Sequence, residues 1–75
     1  MKSNERSSNM VNLITPREKS ILTLIVNGHT NKEIAEICRI SIRTVEAHRQ
    51  NLLRKFQVDN VVKMVRLALE HDLVN

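Results

Sequence analysis

The chain has 75 residues, which predicts one small domain, and with one Phe and neither Trp nor Tyr its core must be aliphatic. Such a core leaves little room for an enclosed catalytic pocket, and a single Cys excludes an internal disulfide. The formal net charge of +4 lies entirely in residues 39–56, which hold five basic residues and one acidic residue. This concentration indicates nucleic acid or another anionic partner, although a solvated basic helix face explains the charge alone equally well.

Residues 1–12 are polar and lack periodicity, so we interpret them as a flexible tail or the end of an interdomain linker, which leaves residues 13–75 as the folded domain. They lack the apolar centre of a secretory signal. No apolar run approaches the roughly 18 residues of a membrane span, so we expect no membrane association. With Cys38 as an unpaired thiol, the cytoplasm is the expected compartment.

The first helix is predicted over residues 16–27, in "TPREKSILTLIVNG". Thr15 is a good N-cap, Pro16 suits the first helical position, and Glu18 completes a capping box. Gly28 suits the left-handed position just past the helix end. The expected buried stripe consists of Ile21, Leu22, Leu24 and Ile25.

The second helix opens with the same device in "TNKEIAEIC", where Thr30 caps and Glu33 follows three residues later. We expect this short helix to end near Cys38. Ser41 then caps a third helix, and Ile40 just before it can pack back onto the domain.

The third helix, predicted over residues 42–56, is amphipathic at about 100° per residue. Val45, Leu52 and Phe56 fall in one narrow sector that predicts the core side. The opposite side carries Arg43, Glu46, Ala47, Gln50 and Arg54.

The fourth helix is predicted over residues 61–71, with Asn60 as its cap. Its core stripe is Val61, Met64, Val65 and Ala68. Val62 and Leu69 form a second apolar strip beside it, so this helix needs more than one partner surface.

Two short helices joined by a tight turn, the second of them basic, match the helix-turn-helix unit, although many three-helix bundles share this outline. The segments "LITPREKSIL", "GHTNKEIAEICRISIRTVEAHRQNLLRKF" and "VDNVVKMVRLAL" resemble the LuxR-type (GerE or FixJ/NarL-type) helix-turn-helix family. The resemblance covers about residues 13–74. One departure is Gln57, which stands where the family often has Gly and leaves the end of the third helix open.

The resemblance implies an all-α, four-helix DNA-binding domain of a bacterial transcription regulator, with the helix at about 42–56 in the major groove. The family binds double-stranded DNA as a homodimer, usually through the fourth helix. Many members are the output domain of a response regulator or quorum-sensing receptor, so a receiver or sensor domain N-terminal to this segment is a further expectation. The residues leave open whether the chain is a whole protein or a C-terminal fragment.

Site residues follow from the same resemblance, position by position. The expected base-reading residues are Glu46, Ala47 and Gln50. The expected phosphate-contacting residues are Asn31, Lys32, Arg43, Thr44, Arg54 and Lys55. The expected dimer interface consists of Val62, Val65 and Leu69. Residues that look structural are Leu13, Leu22, Ile25, Ile34, Ala35, Val45, Leu52, Phe56 and Val65.

Glu46 is the single acid in the basic segment, and three interpretations compete. It accepts from cytosine N4, it orients Arg43 or Gln50, or it pairs with Arg49 or Gln50 on the helix surface and contacts no base. The first two together are favoured.

No nucleophile, phosphate-binding loop or carboxylate pair is arranged for catalysis, so we expect no enzyme and no cofactor. The three His and Cys38 lack zinc-type spacing, so no metal site is expected. The competing hypothesis is a helical protein-interaction module whose basic face meets an acidic partner.

Overall fold

The computed structural model describes residues 14–73, which form four helices and, within that range, no strand. The helices are α1 Pro16–Val26, α2 Asn31–Cys38, α3 Ile42–Phe56 and α4 Val61–Glu70. The all-α prediction is confirmed, and the predicted bounds are right to within one residue. The expected tail at residues 1–12, and Leu13 with it, lies outside the described residues.

All four helices begin at the predicted caps. The hydroxyl of Thr15 accepts the N–H of Glu18 at 3.1 Å, and Glu18 accepts the N–H of Thr15 in return. Thr30 and Glu33 form the same reciprocal pair of hydrogen bonds at the start of α2. Ser41 and Asn60 cap α3 and α4 with one side-chain acceptor each. Each cap satisfies a backbone donor that the first helical turn leaves without a partner.

All four helices also end alike, with one residue in the left-handed region: Gly28, Arg39, Gln57 and Asp72, at φ 90, 59, 58 and 56°. In each case the next residue donates its N–H to the carbonyl five positions back, as a Schellman motif requires. After the three non-glycine residues that next position is apolar and packs on the core, in Ile40, Val58 and Leu73. Packing of these side chains against the core therefore holds the chain in a conformation that L-residues disfavour.

We expect Gln57→Gly to raise the free energy of unfolding by about 0.5–1 kcal/mol, because it removes backbone strain while the larger entropy of an unfolded Gly offsets part of the gain. For a domain of this size the melting temperature should rise by several degrees, measured by circular dichroism. Gly28→Ala is the opposing control: no atom lies within 4 Å of the added Cβ, so only strain at φ 90° acts and the melting temperature should fall. A drop in both variants would contradict the strain at Gln57.

The core lies around α3, which packs against each of the other three helices. Its buried side chains are Ile21, Leu22, Ile25, Ile34, Ala35, Val45, Leu52, Phe56, Met64, Ala68 and Leu73. The core side chains contact α3 along its length. Because such cores are close-packed, they fix the position of α3 and therefore of its solvent-facing side.

Two further side-chain environments concern α2. Cys38 is half-buried and packs on the core, while Ile37 next to it is 54% exposed. Oε1 of Glu33 lies 3.6 Å from Nδ1 of His29, four positions earlier in the chain. His29 lies just before the cap Thr30, so the pair spans the start of α2 and is local in sequence.

Candidate nucleic-acid interface

The two sides of α3 differ as its periodicity predicts. Val45 and Leu52 are fully buried and Phe56 is 2% exposed. The opposite side is exposed throughout, in Arg43, Thr44, Glu46, Ala47, Gln50 and Arg54. One helix therefore presents all three predicted base-reading residues and three of the predicted phosphate contacts on a single surface, which we call the outer face.

Three polar side chains of the outer face are available for a ligand. Among residues 14–73, Arg43, Gln50 and Arg54 form no side-chain hydrogen bond or ion pair. Arg supplies a planar fork of N–H donors and Gln supplies a donor and an acceptor side by side. This donor set matches phosphate oxygens and the edge of a base, and it is unoccupied by the protein's own groups.

Glu46 lies between these donors on the outer face, one turn from Arg43 and one turn from Gln50. Two of the three interpretations of Glu46 require a side-chain contact with Arg43, Arg49 or Gln50. No such hydrogen bond or ion pair exists within residues 14–73. The carboxylate keeps its full acceptor capacity, and its use in base reading stays a prediction.

The start of α2 supplies two further predicted phosphate contacts. Lys32 is exposed, and within the described range it has no ion-pair partner. Asn31 is half-buried at the first helical position. The backbone N–H of Thr30 bonds the nearby Glu33 carboxylate and holds the pKa of that group below its usual value. This negative charge at the helix start offsets part of the attraction of the helix dipole for an anion.

Thr44 and Lys55, unlike Lys32, Arg43 and Arg54, already form side-chain hydrogen bonds within the domain. The hydroxyl of Thr44 lies 2.8 Å from that of Ser41, with which it shares a hydrogen bond. The ammonium of Lys55 lies 2.6 Å from Oε1 of Glu18 in α1, and Lys55 is half-buried. Both assignments stay predictions, but Lys55 already has an anionic partner inside the domain.

Glu18 is the single buried charged residue within residues 14–73, at 5% exposure. Burial alone raises the pKa of its carboxyl, but the hydrogen bonds from Lys55 and from the N–H of Thr15, with the Lys55 charge, outweigh burial and hold the pKa below its usual value. Sequence reasoning found the capping function of Glu18 and missed this ion pair, because the two residues lie 37 positions apart and no short-range pattern joins them.

The predicted dimer residues on α4 differ in exposure. Val62 is 71% and Leu69 57% exposed, whereas Val65 is half-buried and packs on the core. Val62 and Leu69 are two turns apart on one side of the helix. They form an apolar strip that is exposed within residues 14–73, and the half-buried Val65 lies between this strip and the core.

Sequence reasoning also missed Ile42, the first residue of α3, which is 46% exposed beside the outer face.

His48 lies on the flank of α3, half-buried, and its Nδ1 has no hydrogen-bond partner among the described residues. A histidine at the border of the apolar sector predicts packing of this kind, but not which nitrogen is left unpaired.

Two further properties concern residues 14–73. None of the four helices is long and apolar enough to cross a bilayer. No three His, Cys, Asp or Glu side chains within this range converge to hold a metal ion.

Comparison with known proteins supports the same interpretation. The sequence model of the family described as "Bacterial regulatory proteins, luxR family" matches residues 12–68. The chain is 47% identical over 62 residues to the transcriptional regulatory protein MctR of Rhizobium johnstonii, covering 83% of this chain and 29% of MctR. It is 45% identical over 58 residues to the response regulatory protein YgeK of Escherichia coli, covering 77% of this chain and 40% of YgeK.

The response regulator protein VraR of Staphylococcus aureus is 36% identical over 70 residues, covering 93% of this chain and 34% of VraR. The chain thus spans between 29% and 40% of the length of these three curated relatives. The family match covers most of the chain, and it agrees with the four helices and the basic outer face of α3. The chain therefore belongs to the LuxR family, as a helix-turn-helix DNA-binding domain of the kind found in transcriptional and response regulators.

Proposed function

We propose that this domain recognises a specific DNA sequence by placing the outer face of α3 in the major groove. The observation that carries this proposal is the set of unpaired side chains on that face, opposite a fully buried sector of the same helix. α2 then crosses the phosphate backbone, as the first helix of a helix-turn-helix unit does. Within this proposal phosphate contacts set the orientation, and contacts to base edges give the specificity.

Three residues are proposed to read bases. Gln50 can bond the N6 and N7 groups of adenine with both ends of its amide. Ala47 offers a small apolar contact of the kind that recognises a thymine methyl. Glu46 accepts from cytosine N4, which is the donor that a carboxylate selects in the major groove.

Selection of bound sequences from a random duplex pool, followed by titration of the winning duplex at several salt concentrations, tests the proposal. We expect an enriched motif and a steep linear fall of log affinity with log salt. A domain that enriches no motif and binds an acidic protein instead would be the interaction module considered above.

We expect Lys32→Ala and Arg54→Ala to weaken binding to every duplex by about the same factor. Each loses one phosphate contact, so the slope of log affinity against log salt should become shallower by about one. Lys19→Ala is the matched control, since Lys19 is exposed on α1 and borders a pocket lined by Leu73 and His71, away from the outer face. Loss confined to one operator would assign the substituted residue to base reading.

Pairing of two domains through α4 is proposed from the exposed strip of Val62 and Leu69. A two-fold pair places two copies of α3 in successive major grooves, on half-sites roughly 10 bp apart. We expect Val62→Glu to abolish cooperative binding to the full site while the affinity for one half-site and the helical circular dichroism stay unchanged. Unaltered association in sedimentation, with full-site affinity intact, would rule out this interface.

We further propose that the domain works as the DNA-binding output part of a longer regulator in the cytoplasm. The support is that it covers 40% of YgeK and 34% of VraR, both of which are named response regulators. Within such a protein, a receiver or sensor domain supplies the signal and this domain converts it into occupancy of an operator.

A further inference from the structure

The ion pair between Glu18 and Lys55 joins two residues that lie 37 positions apart in the sequence. Glu18 lies in the first turn of α1, and Lys55 lies in the last turn of α3. Their charged atoms are 2.6 Å apart, with side-chain exposures of 6% and 28%. Such burial distinguishes this pair from the Asp59–Lys63 pair on the surface, where both side chains are more than half exposed.

The Glu18 carboxylate is itself held in place. The same oxygen, Oε1, accepts the N–H of Thr15 at 3.0 Å and the ammonium of Lys55. The hydroxyl of Thr15 accepts the N–H of Glu18, which closes the capping box around that side chain. Lys55 is therefore bound to a fixed point at the start of α1 and not to a mobile surface acid.

Arg54 and Lys55 are neighbours on α3 with different surroundings. Arg54 is exposed on the outer face, and within residues 14–73 it has no ion-pair partner. Lys55 points to α1, about 100° around the helix from its neighbour. The two positive charges therefore belong to different surfaces of the same helical turn.

We infer that Lys55 is a positioning residue that fixes α3 against α1 through Glu18, and that it is not a phosphate contact. The inference rests on the proposed function, because it concerns the helix proposed to enter the groove. Hydrogen bonds to base edges tolerate only a few tenths of an ångström and a limited change of angle. Loss of the pair lets the end of α3 shift, which disturbs base reading more than it disturbs the adaptable contacts to phosphates.

Glu18→Gln and Lys55→Met test this inference at a temperature where circular dichroism shows both variants fully folded. The probes are the duplex enriched from the random pool and a scrambled duplex of equal length, each titrated at four salt concentrations. We expect both variants to lose about tenfold in affinity for the enriched duplex, about 1.4 kcal/mol, and less than twofold for the scrambled one. The salt slope should not change, and the double variant should lose no more than either single one.

Lys19→Met, which removes an exposed lysine next to Glu18 in sequence, is the matched control and should bind as the unsubstituted domain does. If Lys55 contacts phosphate, Lys55→Met reduces the salt slope by about one, while Glu18→Gln removes a negative charge beside the ammonium and tightens binding to both duplexes. Either result overturns the inference, as does a lower melting temperature with both affinities unchanged. An unsubstituted domain that prefers no duplex overturns the proposed function and this inference with it.

Discussion

Leu52→Ala should cost about 2–5 kcal/mol of the free energy of unfolding, which is the largest effect we expect from one substitution on α3. Leu52 is fully buried at the centre of the apolar sector. Truncation removes its transfer free energy and leaves a cavity that the surrounding helices fill only partly. A domain of this size has a total stability of about 4–11 kcal/mol, so the substitution should remove a large share of that stability and lower the melting temperature.

Leu53→Ala is the matched control, because it makes the same chemical change one position along the helix at a half-buried site. Its cost should be clearly smaller, since fewer contacts are lost. Urea unfolding followed by circular dichroism measures both. A cost at Leu53 equal to that at Leu52 would mean that burial does not determine the contribution of these two side chains.

Leu52→Ala also distinguishes a loss of domain stability from a loss of the DNA-binding surface. Folded Leu52→Ala keeps the whole outer face, so an excess of operator duplex should restore part of its stability, by about 2.7 kcal/mol at one hundred times the dissociation constant. A thermal melt with and without duplex measures this. If duplex fails to raise the melting temperature while the unsubstituted domain responds, α3 in the variant no longer holds the binding conformation.

The starts of the helices could be predicted from sequence because the chemistry of a start is local. Thr15 and Glu18, three residues apart, satisfy each other's backbone groups without help from the rest of the chain. The ends are different, because the left-handed conformations of Arg39 and Asp72 depend on where Ile40 and Leu73 pack against the core. Sequence reasoning found Gly28, whose missing side chain is itself a signal, and found no signal at Arg39 or Asp72.

The candidate site likewise has residues that local sequence predicts and residues that depend on tertiary packing. The outer face of α3 follows from helical periodicity, so the exposure of Arg43, Glu46 and Gln50 was predictable. Whether a basic residue at the border of that face meets a ligand or a partner within the domain is decided by tertiary packing. Lys55 is such a residue, and its partner Glu18 lies 37 positions away, beyond the reach of any periodic pattern.

Glu46→Ala should tighten binding to random duplex and narrow the preference for the operator by about 1–3 kcal/mol. A carboxylate on the outer face repels phosphates, so its removal favours every duplex to a similar extent. In the proposed complex the same carboxylate accepts a hydrogen bond from cytosine N4, and the operator alone loses that contact. On this proposal Glu46 lowers affinity everywhere except at the correct base pair, and repulsion creates specificity.

The experiment compares the affinities for operator and random duplex at one salt concentration. Glu46→Gln keeps the shape of the side chain and a single acceptor, so it should recover affinity for random duplex while retaining part of the operator preference. Glu70→Ala removes an exposed acid from the end of α4 and controls for net charge. Because Glu46 forms no ion pair within residues 14–73, its removal frees no arginine, and any change in specificity can be attributed to the carboxylate itself. Unchanged affinity for both duplexes would reduce Glu46 to a solvated surface residue and leave the specificity of the outer face to Ala47 and Gln50.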